Sequence, residues 1–422
     1  MPLGLHTDAQ NRLRSALVAA LESVQVDHNK FVHTRTLRGL ESLDEILPGS
    51  PSKIRRALAE YVGEAALSDF VSDQLISEVL ERPYDDNAPR QSLSRLNGFE
   101  DVTEHADRLV DRFESLPWDY ELYGRVPYDV AGLLRAVICD TPLELSPDLS
   151  LVILDDVSEY PGRTSDPDRY SSDFVPKGLV AGDMYVRMHA RGYIGRFIAS
   201  APFEIFQRTL RSLYGMMLAF GIVRTGASSS AVPRKSFALP YRRANGAWAL
   251  EEPLALEHRL GDTLWHLGVS EVLVKREESV RVHFAREEIR SVQAVFGDQE
   301  GSKRIRLAAQ WLFDSYAGGD GLLSYVQATI VLEILFGDKA VSDVIGLGEL
   351  LANRCAYTIG KTRKQRSDLV AKFRRIYETR SKIVHAGKDH LVKSEEADLS
   401  TLQWMAARAI QEESRLVLAE RE

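Results

Sequence analysis

One segment of this chain, residues 325–336, is apolar around almost the whole circumference of a helix and carries a single charge, Glu333. A helix that is apolar on all sides belongs in a protein interior. A carboxylate in such a place is costly unless it is paired or hydrogen-bonded. The sequence therefore predicts a buried helix and a polar partner for Glu333.

A candidate partner lies on a second predicted helix, residues 368–386, with Ser367 as its N-cap and Gly387 as its stop. The apolar residues of this helix fall on one face: Leu369, Phe373, Ile376, Tyr377, Ile383 and Val384. Arg380 lies in the middle of that face. Because a guanidinium keeps its charge, it needs a carboxylate, a phosphate or water. We therefore expect Arg380 and Glu333 to lie within reach of a charge-assisted hydrogen bond, about 3 Å.

His385 follows Arg380 by five residues, on the last turn of the same predicted helix. The rotation between two such positions is about 140° in a regular helix. Both side chains reach one point only if the site lies in a groove or if the last turn is distorted. Ser381 stands four residues before His385 and shares its face, where its hydroxyl can orient the imidazole.

The segment around these residues is basic. Residues 354–388 hold eleven Lys and Arg against Asp368 and Glu378, an excess of +9, in a chain whose net charge is −8. A local excess of this size predicts a phosphate-binding patch, although a solvated face is the other reading of such a run. The residues predicted to contact RNA phosphates are Lys361, Arg363, Lys364, Arg366, Arg374, Arg375 and Lys382.

Length and composition limit the class of protein. A chain of 422 residues is too long for one ordinary core, so two or more domains are expected. Cys139 and Cys355 are far apart and not in a metal-binding spacing, which favours reduced thiols in a cytoplasmic protein. The longest apolar runs, residues 213–223 and 325–336, are shorter than the roughly 20 residues that span a bilayer. The expectation is a soluble cytoplasmic chain with no membrane contact.

The patterns along the chain predict a mainly α protein of the α+β class, in three parts. Residues 1–140 are expected to be helical, residues 141–285 mixed, and residues 286–422 a helical bundle. In the middle part, short apolar or alternating runs predict strands at residues 149–154, 183–189, 192–197 and 280–284. A polar loop is predicted at residues 158–173 and a linker at residues 225–236.

Residues 304–387 resemble the Apea-like branch of the HEPN superfamily, a group of helical domains common in prokaryotic defence and toxin systems. The resemblance rests on Trp311-Leu312, on residues 330–336 with Glu333, and on residues 374–387, which contain the Arg-x4-His motif. It is confined to the C-terminal part of the chain. By analogy with other HEPN effectors, residues 1–285 are expected to sense a phage or cellular trigger.

The resemblance implies an endoribonuclease that works as a homodimer and needs neither metal nor cofactor. His385 would assist proton transfer as the ribose 2′-hydroxyl attacks the neighbouring phosphate, and Arg380 would stabilise the developing charge. Glu333 matches the acidic position of the second family helix. Ser381 departs from the Asn, Asp or His that is frequent at the motif's second position, but it still offers a hydrogen bond.

Two other readings remain open. The first is a catalytically inactive HEPN-type module for dimerisation or ligand binding, in which Glu333 and Arg380 form a structural ion pair and the helix dipole favours His385 at a helix end. The second is a metalloenzyme. It is the weaker of the two because the histidines are scattered, and His28 and His33 have no acidic neighbour apart from Asp27.

Overall fold

The structure is a computed structural model that describes residues 3–47, 53–63, 65–138, 142–162, 175–198, 200–226 and 235–419. Helix predominates over strand, and the C-terminal segment is entirely helical, which confirms the predicted mainly α, α+β class. None of the described helices is long and apolar enough to cross a membrane. Cys139, residues 163–173 of the predicted loop and residues 227–234 of the predicted linker lie outside the described residues.

The helices in chain order are α1 (Thr7–Glu22), α2 (Lys53–Tyr61), α3 (Ala66–Leu80), α4 (Val102–Glu114), α5 (Tyr128–Val137), α6 (Ala201–Ala219), α7 (His258–Trp265), α8 (Glu271–Val274), α9 (Glu278–Phe296), α10 (Ser302–Ala317), α11 (Gly321–Phe336), α12 (Lys339–Ile345), α13 (Leu347–Ile359), α14 (Arg363–His385) and α15 (Lys393–Ala419). Two 3₁₀ helices occupy Thr34–Glu45 and Leu93–Arg95.

The strands in chain order are β1 (Gln25–Asp27), β2 (Phe31–Val32), β3 (Gln91–Ser92), β4 (Trp118–Arg125), β5 (Leu143–Ser146), β6 (Leu149–Ile153), β7 (Met184–Gly192), β8 (Val223–Thr225), β9 (Phe237–Ala244), β10 (Ala247–Leu250), β11 (Leu254–Ala255) and β12 (Leu267–Val269). The described strands form three sheets, with orders β2-β1-β3, β10-β9-β4-β7-β6-β5 and β12-β8, and β11 also pairs with β9. The predicted strand at residues 149–154 is β6, whose apolar run is buried and pairs antiparallel with β5 and β7.

The chain divides into two compact units, each built from separate stretches of sequence. Unit 1 comprises Met1–Leu122, His189–Phe206 and Pro240–Leu254, and unit 2 comprises Tyr123–Met188, Gln207–Leu239 and Ala255–Glu422. In unit 1, Phe70 of α3 is fully buried, and its ring meets that of Phe113 edge-on at 5.4 Å between centroids. Helices α1, α3 and α4 enclose this core because their apolar residues recur at helical spacing.

Unit 2 contains the helical bundle from α9 to α15. Helix α11 is the predicted buried helix: Tyr325, Val331 and Leu332 have no exposed surface. The Tyr325 hydroxyl donates to the carbonyl of Ile376 on α14 at 3.2 Å, which satisfies a buried donor and ties the two helices together. This packing places the Glu333 region of α11 against the C-terminal half of α14.

Three sequence-based expectations are wrong in detail. Residues 280–284 are not a strand but the start of α9, because an alternation of five residues does not separate period 2 from a helical period, and Ile289, Val292 and Phe296 continue a helical stripe. Residues 192–197 are not a second strand of a hairpin, since β7 ends at Gly192. The region expected to be helical up to residue 140 also contains four strands, among them β4.

Candidate active site on helix α14

Helix α14 begins earlier than predicted. Its N-cap is Thr362 rather than Ser367, which lies inside the helix. The Thr362 hydroxyl accepts from the backbone N–H of Gln365 at 3.2 Å, and the Gln365 side chain accepts from the backbone N–H of Thr362 at 3.2 Å. This capping box satisfies two helix-end donors. The predicted stop is confirmed, because Gly387 has φ +66°, the left-handed conformation that favours glycine after a helix.

The predicted contact between Glu333 and Arg380 is confirmed. Arg380 Nη2 lies 3.2 Å from Glu333 Oε1, and the two side chains are 19% and 21% exposed. The contact is an ion pair without hydrogen-bond geometry, because Arg380 Nε and Glu333 Oε1 are both buried and neither has a hydrogen-bond partner among the described residues. The guanidinium is thus held by charge while part of its donor capacity stays unused.

Tyr377 forms the other side of this arrangement. Its ring lies one turn before Arg380, with the guanidinium carbon 5.8 Å from the ring centroid, within the range of a cation–π contact. Burial raises the pKa of the Tyr377 hydroxyl, with the charge of Glu333 adding to the effect. The ring packs on Gly348 of α13 so closely that a Cβ there would lie 2.7 Å from Tyr377 Cδ1. Gly348 carried no signal in the sequence, since its importance depends on a neighbour 29 positions away in numbering.

His385 occupies a different environment. It is the last residue of α14, is exposed, and has no hydrogen-bond partner among the described residues. Ser381 is half-buried, and the part of the chain that the structure describes shows no hydrogen bond between it and His385. The helix stays α-helical through His385, so the rotation of about 140° from Arg380 is not removed by a distorted last turn. Arg380 and His385 therefore point to different sides of α14.

Acidic residues elsewhere in the bundle neutralise much of the predicted basic patch. Arg374 donates to both carboxylate oxygens of Glu349, at 2.9 and 2.7 Å, and this contact lowers the pKa of Glu349. Arg375 binds Asp398 through two hydrogen bonds in the same manner. Three further cations of the segment also form ion pairs: Arg354, Arg380 and Lys388. Five of the eleven cations in the segment are thus paired with acids that lie outside it.

The remaining predicted cations surround the start of α14 and its last turns. Arg366 is partly engaged, because its Nε donates to the carbonyl of Gly360 at 2.9 Å and its guanidinium lies 4.7 Å from the centre of the Tyr357 ring. The other four are exposed and form no ion pair within the described residues: Lys361, Arg363, Lys364 and Lys382. Together with Lys372, the eleventh cation of the segment, which is also exposed and forms no ion pair within the described residues, these four carry the positive charge that is open to an anionic ligand.

Within the described residues, no group of three or more His, Cys, Asp or Glu side chains could hold a metal ion. Comparisons with models of protein families, with curated proteins and with solved structures gave no match for this chain. The functional argument therefore depends on the residues of α11, α13 and α14 themselves.

Proposed function

We propose that the C-terminal bundle is a metal-independent endoribonuclease of a prokaryotic defence or toxin system, with Arg380 and His385 as its reacting groups. The observation that supports this most is the state of Arg380. Its guanidinium is fixed on the packed face of α14 by Glu333, 3.2 Å away, and by the Tyr377 ring, yet its Nε has no acceptor in the described part of the chain. A fixed cation with unused donors is suited to a phosphate in a transition state.

In the proposed reaction, His385 accepts the proton of a ribose 2′-hydroxyl as its oxygen attacks the adjacent phosphorus. The bond from phosphorus to the 5′-oxygen breaks and that oxygen takes up a proton, which leaves a 2′,3′-cyclic phosphate and a 5′-hydroxyl. Arg380 stabilises the charge on the non-bridging oxygens. Lys361, Arg363, Lys364 and Lys382 bind the RNA backbone by charge, so affinity should fall with salt.

The different directions of Arg380 and His385 on α14 favour a homodimer in which each site combines the two residues from different copies. Apolar surface suited to such an interface lies beside the motif, since Val384 is 46% exposed. In a mixture of His385→Ala and Arg380→Ala proteins, half of the dimers are mixed and one of their two sites is intact. Activity should then return to about a quarter of the wild-type level. No recovery, or a monomer by light scattering, would contradict shared sites.

The direct test is cleavage of single-stranded RNA in EDTA. We expect wild-type protein to cleave, and His385→Ala and Arg380→Ala each to lose about 10²- to 10⁴-fold in rate. His390→Ala is a matched control, because His390 is also exposed, lies five positions further on, and within the described residues hydrogen-bonds to Asp389 alone. Mapping of the product ends should give a cyclic phosphate. Wild-type rates for His385→Ala, or a requirement for Mg²⁺, would refute the proposal.

The inactive-module alternative has its own supporting observation. Among the residues that the structure describes, His385 has no orienting hydrogen bond, and Arg380 already has an acidic partner, as a purely structural pair would. Under that reading no variant and no wild-type preparation cleaves RNA, while the bundle still associates or binds a ligand.

A further inference from the structure

Unit 2 contains an open surface cavity of about 210 Å³ between α5, β12, α8 and α9, and the exposed residues Asp129, Gly132, Ala136, Val274 and Glu278 are part of its lining. None of its lining residues belongs to the candidate active site. Three charged residues line it: Asp129 of α5, and Glu278 and Arg281 of α9. Part of its wall is apolar, formed by Leu133 and Val269 together with Val274 of α8. The cavity thus combines both signs of charge with a surface for an aliphatic group.

The polar groups of this cavity do not satisfy one another. Arg281 Nε is buried and has no hydrogen-bond partner among the described residues. Within the same residues, neither Asp129 nor Glu278 lies within ion-pair distance of the Arg281 guanidinium, although all three line one cavity. A buried donor without an acceptor is rare in folded proteins and calls for an acceptor from outside the chain.

Small residues on α5 keep the cavity open. Gly132 lines it on the solvent-exposed side of α5, and a Cβ built at this position would meet no atom within 4 Å. Ala136, one turn further along α5, also lines it and adds only a methyl group. A glycine inside a helix costs stability relative to alanine, and no close packing at Gly132 explains its presence. The open space beside α5 is consistent with a place for a ligand.

We propose that this cavity binds a small aliphatic α-amino acid. The ligand carboxylate would accept from Arg281, its ammonium group would donate to Asp129 and Glu278, and its side chain would lie on Leu133 and Val269. The size fits, since a volume of about 210 Å³ leaves room for a ligand of several non-hydrogen atoms such as leucine or valine. Because one cation and two carboxylates line the cavity together with apolar residues, it should favour a zwitterion over a ligand that carries either charge alone.

The test measures binding of L-leucine to the full chain by calorimetry and by the shift in melting temperature. We expect saturable binding and at least tenfold weaker binding of 4-methylpentanoate and 3-methylbutylamine, each of which lacks one of the two charges. Absence of L-leucine binding would overturn the proposal. Tighter binding of L-lysine than of L-leucine would overturn the aliphatic assignment, because it would show that the carboxylates dominate.

Variants locate the site. Arg281→Gln should abolish binding, and Gly132→Leu should block it by filling the cavity, with circular dichroism used to verify that both proteins fold. Arg290→Gln is the matched control, because Arg290 lies on the same helix but is 62% exposed and pairs with Glu287. Unchanged affinity in both Arg281→Gln and Gly132→Leu would place any L-leucine binding elsewhere and refute the assignment.

Discussion

Two carboxylates that are largely removed from solvent, Asp73 in unit 1 and Glu333 in unit 2, are stabilised in different ways. Asp73 is 2% exposed and accepts three hydrogen bonds: from the Tyr193 hydroxyl at 2.5 Å, and from the backbone N–H groups of Arg196 at 3.2 Å and Phe197 at 2.6 Å. Glu333 has one cation beside it, and its Oε1 accepts no hydrogen bond within the described residues.

The difference separates a structural carboxylate from a candidate functional one. The acceptor capacity of Asp73 is used to fix the chain after β7, so it has little left for a ligand. Glu333 and Arg380 form a pair held by charge alone, in which both partners keep hydrogen-bonding capacity. Under the proposed function, a phosphate would use this remaining capacity. The two carboxylates should therefore respond differently to mutation.

The largest stability loss is expected for Asp73→Ala. The substitution leaves the Tyr193 hydroxyl and two backbone donors without their acceptor, and each buried unsatisfied donor costs about 1–3 kcal/mol. Because water can relieve part of this cost, we expect a total of roughly 3–5 kcal/mol in the free energy of urea unfolding. Asp86→Ala is the control, since Asp86 is exposed and its side chain accepts a hydrogen bond from Tyr84 alone within the described residues. A loss below about 1 kcal/mol would show that Asp73 is not a structural carboxylate of the kind described here.

Arg380→Ala is expected to cost less, about 1–3 kcal/mol, because Glu333 keeps access to water on a fifth of its surface. The double variant Glu333→Ala/Arg380→Ala should recover part of this loss, since it removes the carboxylate left without a partner. Arg374→Ala serves as the comparison: its pair with Glu349 is exposed and should contribute less than about 1 kcal/mol. If Arg380→Ala and Arg374→Ala cost the same, charge pairing at Glu333 has no special role in the fold.

The Glu333–Arg380 contact could be predicted from sequence because each residue is out of place in its own local pattern. The neutralised basic patch could not, since Glu349 and Asp398 come from α13 and α15, outside the segment whose charges were counted. The true N-cap did leave a signal: Thr362 and Gln365 form the spacing of a capping box, which the nearer Ser367 obscured.

Strands were harder to predict than helices. Strand β4 comes shortly after the helix α4, and its alternation of apolar and polar residues is too short to be distinguished from a helical pattern. The two units also alternate along the chain, and unit 1 consists of three separate stretches. A sequence-based division into consecutive domains cannot describe units of this kind. Helices α11 and α14 escape both difficulties: α11 is a long apolar run, α14 has a long helical periodicity, and each lies within one unit.

A substitution at Gly348 tests whether Tyr377 positions Arg380. Gly348→Ala would bring a Cβ to 2.7 Å from Tyr377 Cδ1, so the ring has to move, at a cost of about 1–2 kcal/mol after the gain in helix propensity. The Arg380 Nε–H resonance in an NMR spectrum should shift, and RNA cleavage should fall more than RNA binding. Gly132→Ala, with open space at its Cβ, should be neutral or stabilising. An unchanged Arg380 resonance would show that the ring does not position the guanidinium.

The smallest effect is expected at His105, a buried group of unit 1 whose Nε2 has no hydrogen-bond partner among the residues that the structure describes. Burial lowers the pKa of His105; Glu78 opposes this shift, and Arg108 and Arg112 add to it. Below the unfolded pKa of about 6.5 the unfolded chain therefore binds more protons than the folded one, and stability falls as the pH decreases.

His105→Gln removes this titration. The wild type should lose more stability than the variant between pH 7.5 and pH 5.5, measured as the shift of the urea midpoint, because the carboxylates titrate alike in both proteins. If the difference in urea midpoint between the two proteins stays constant over this range, His105 takes up a proton equally well in the folded and the unfolded state. The buried Nε2 of His105 would then have no effect on the pH dependence of stability. This would set unit 1 further apart from unit 2, where the unsatisfied Glu333 is expected to affect stability.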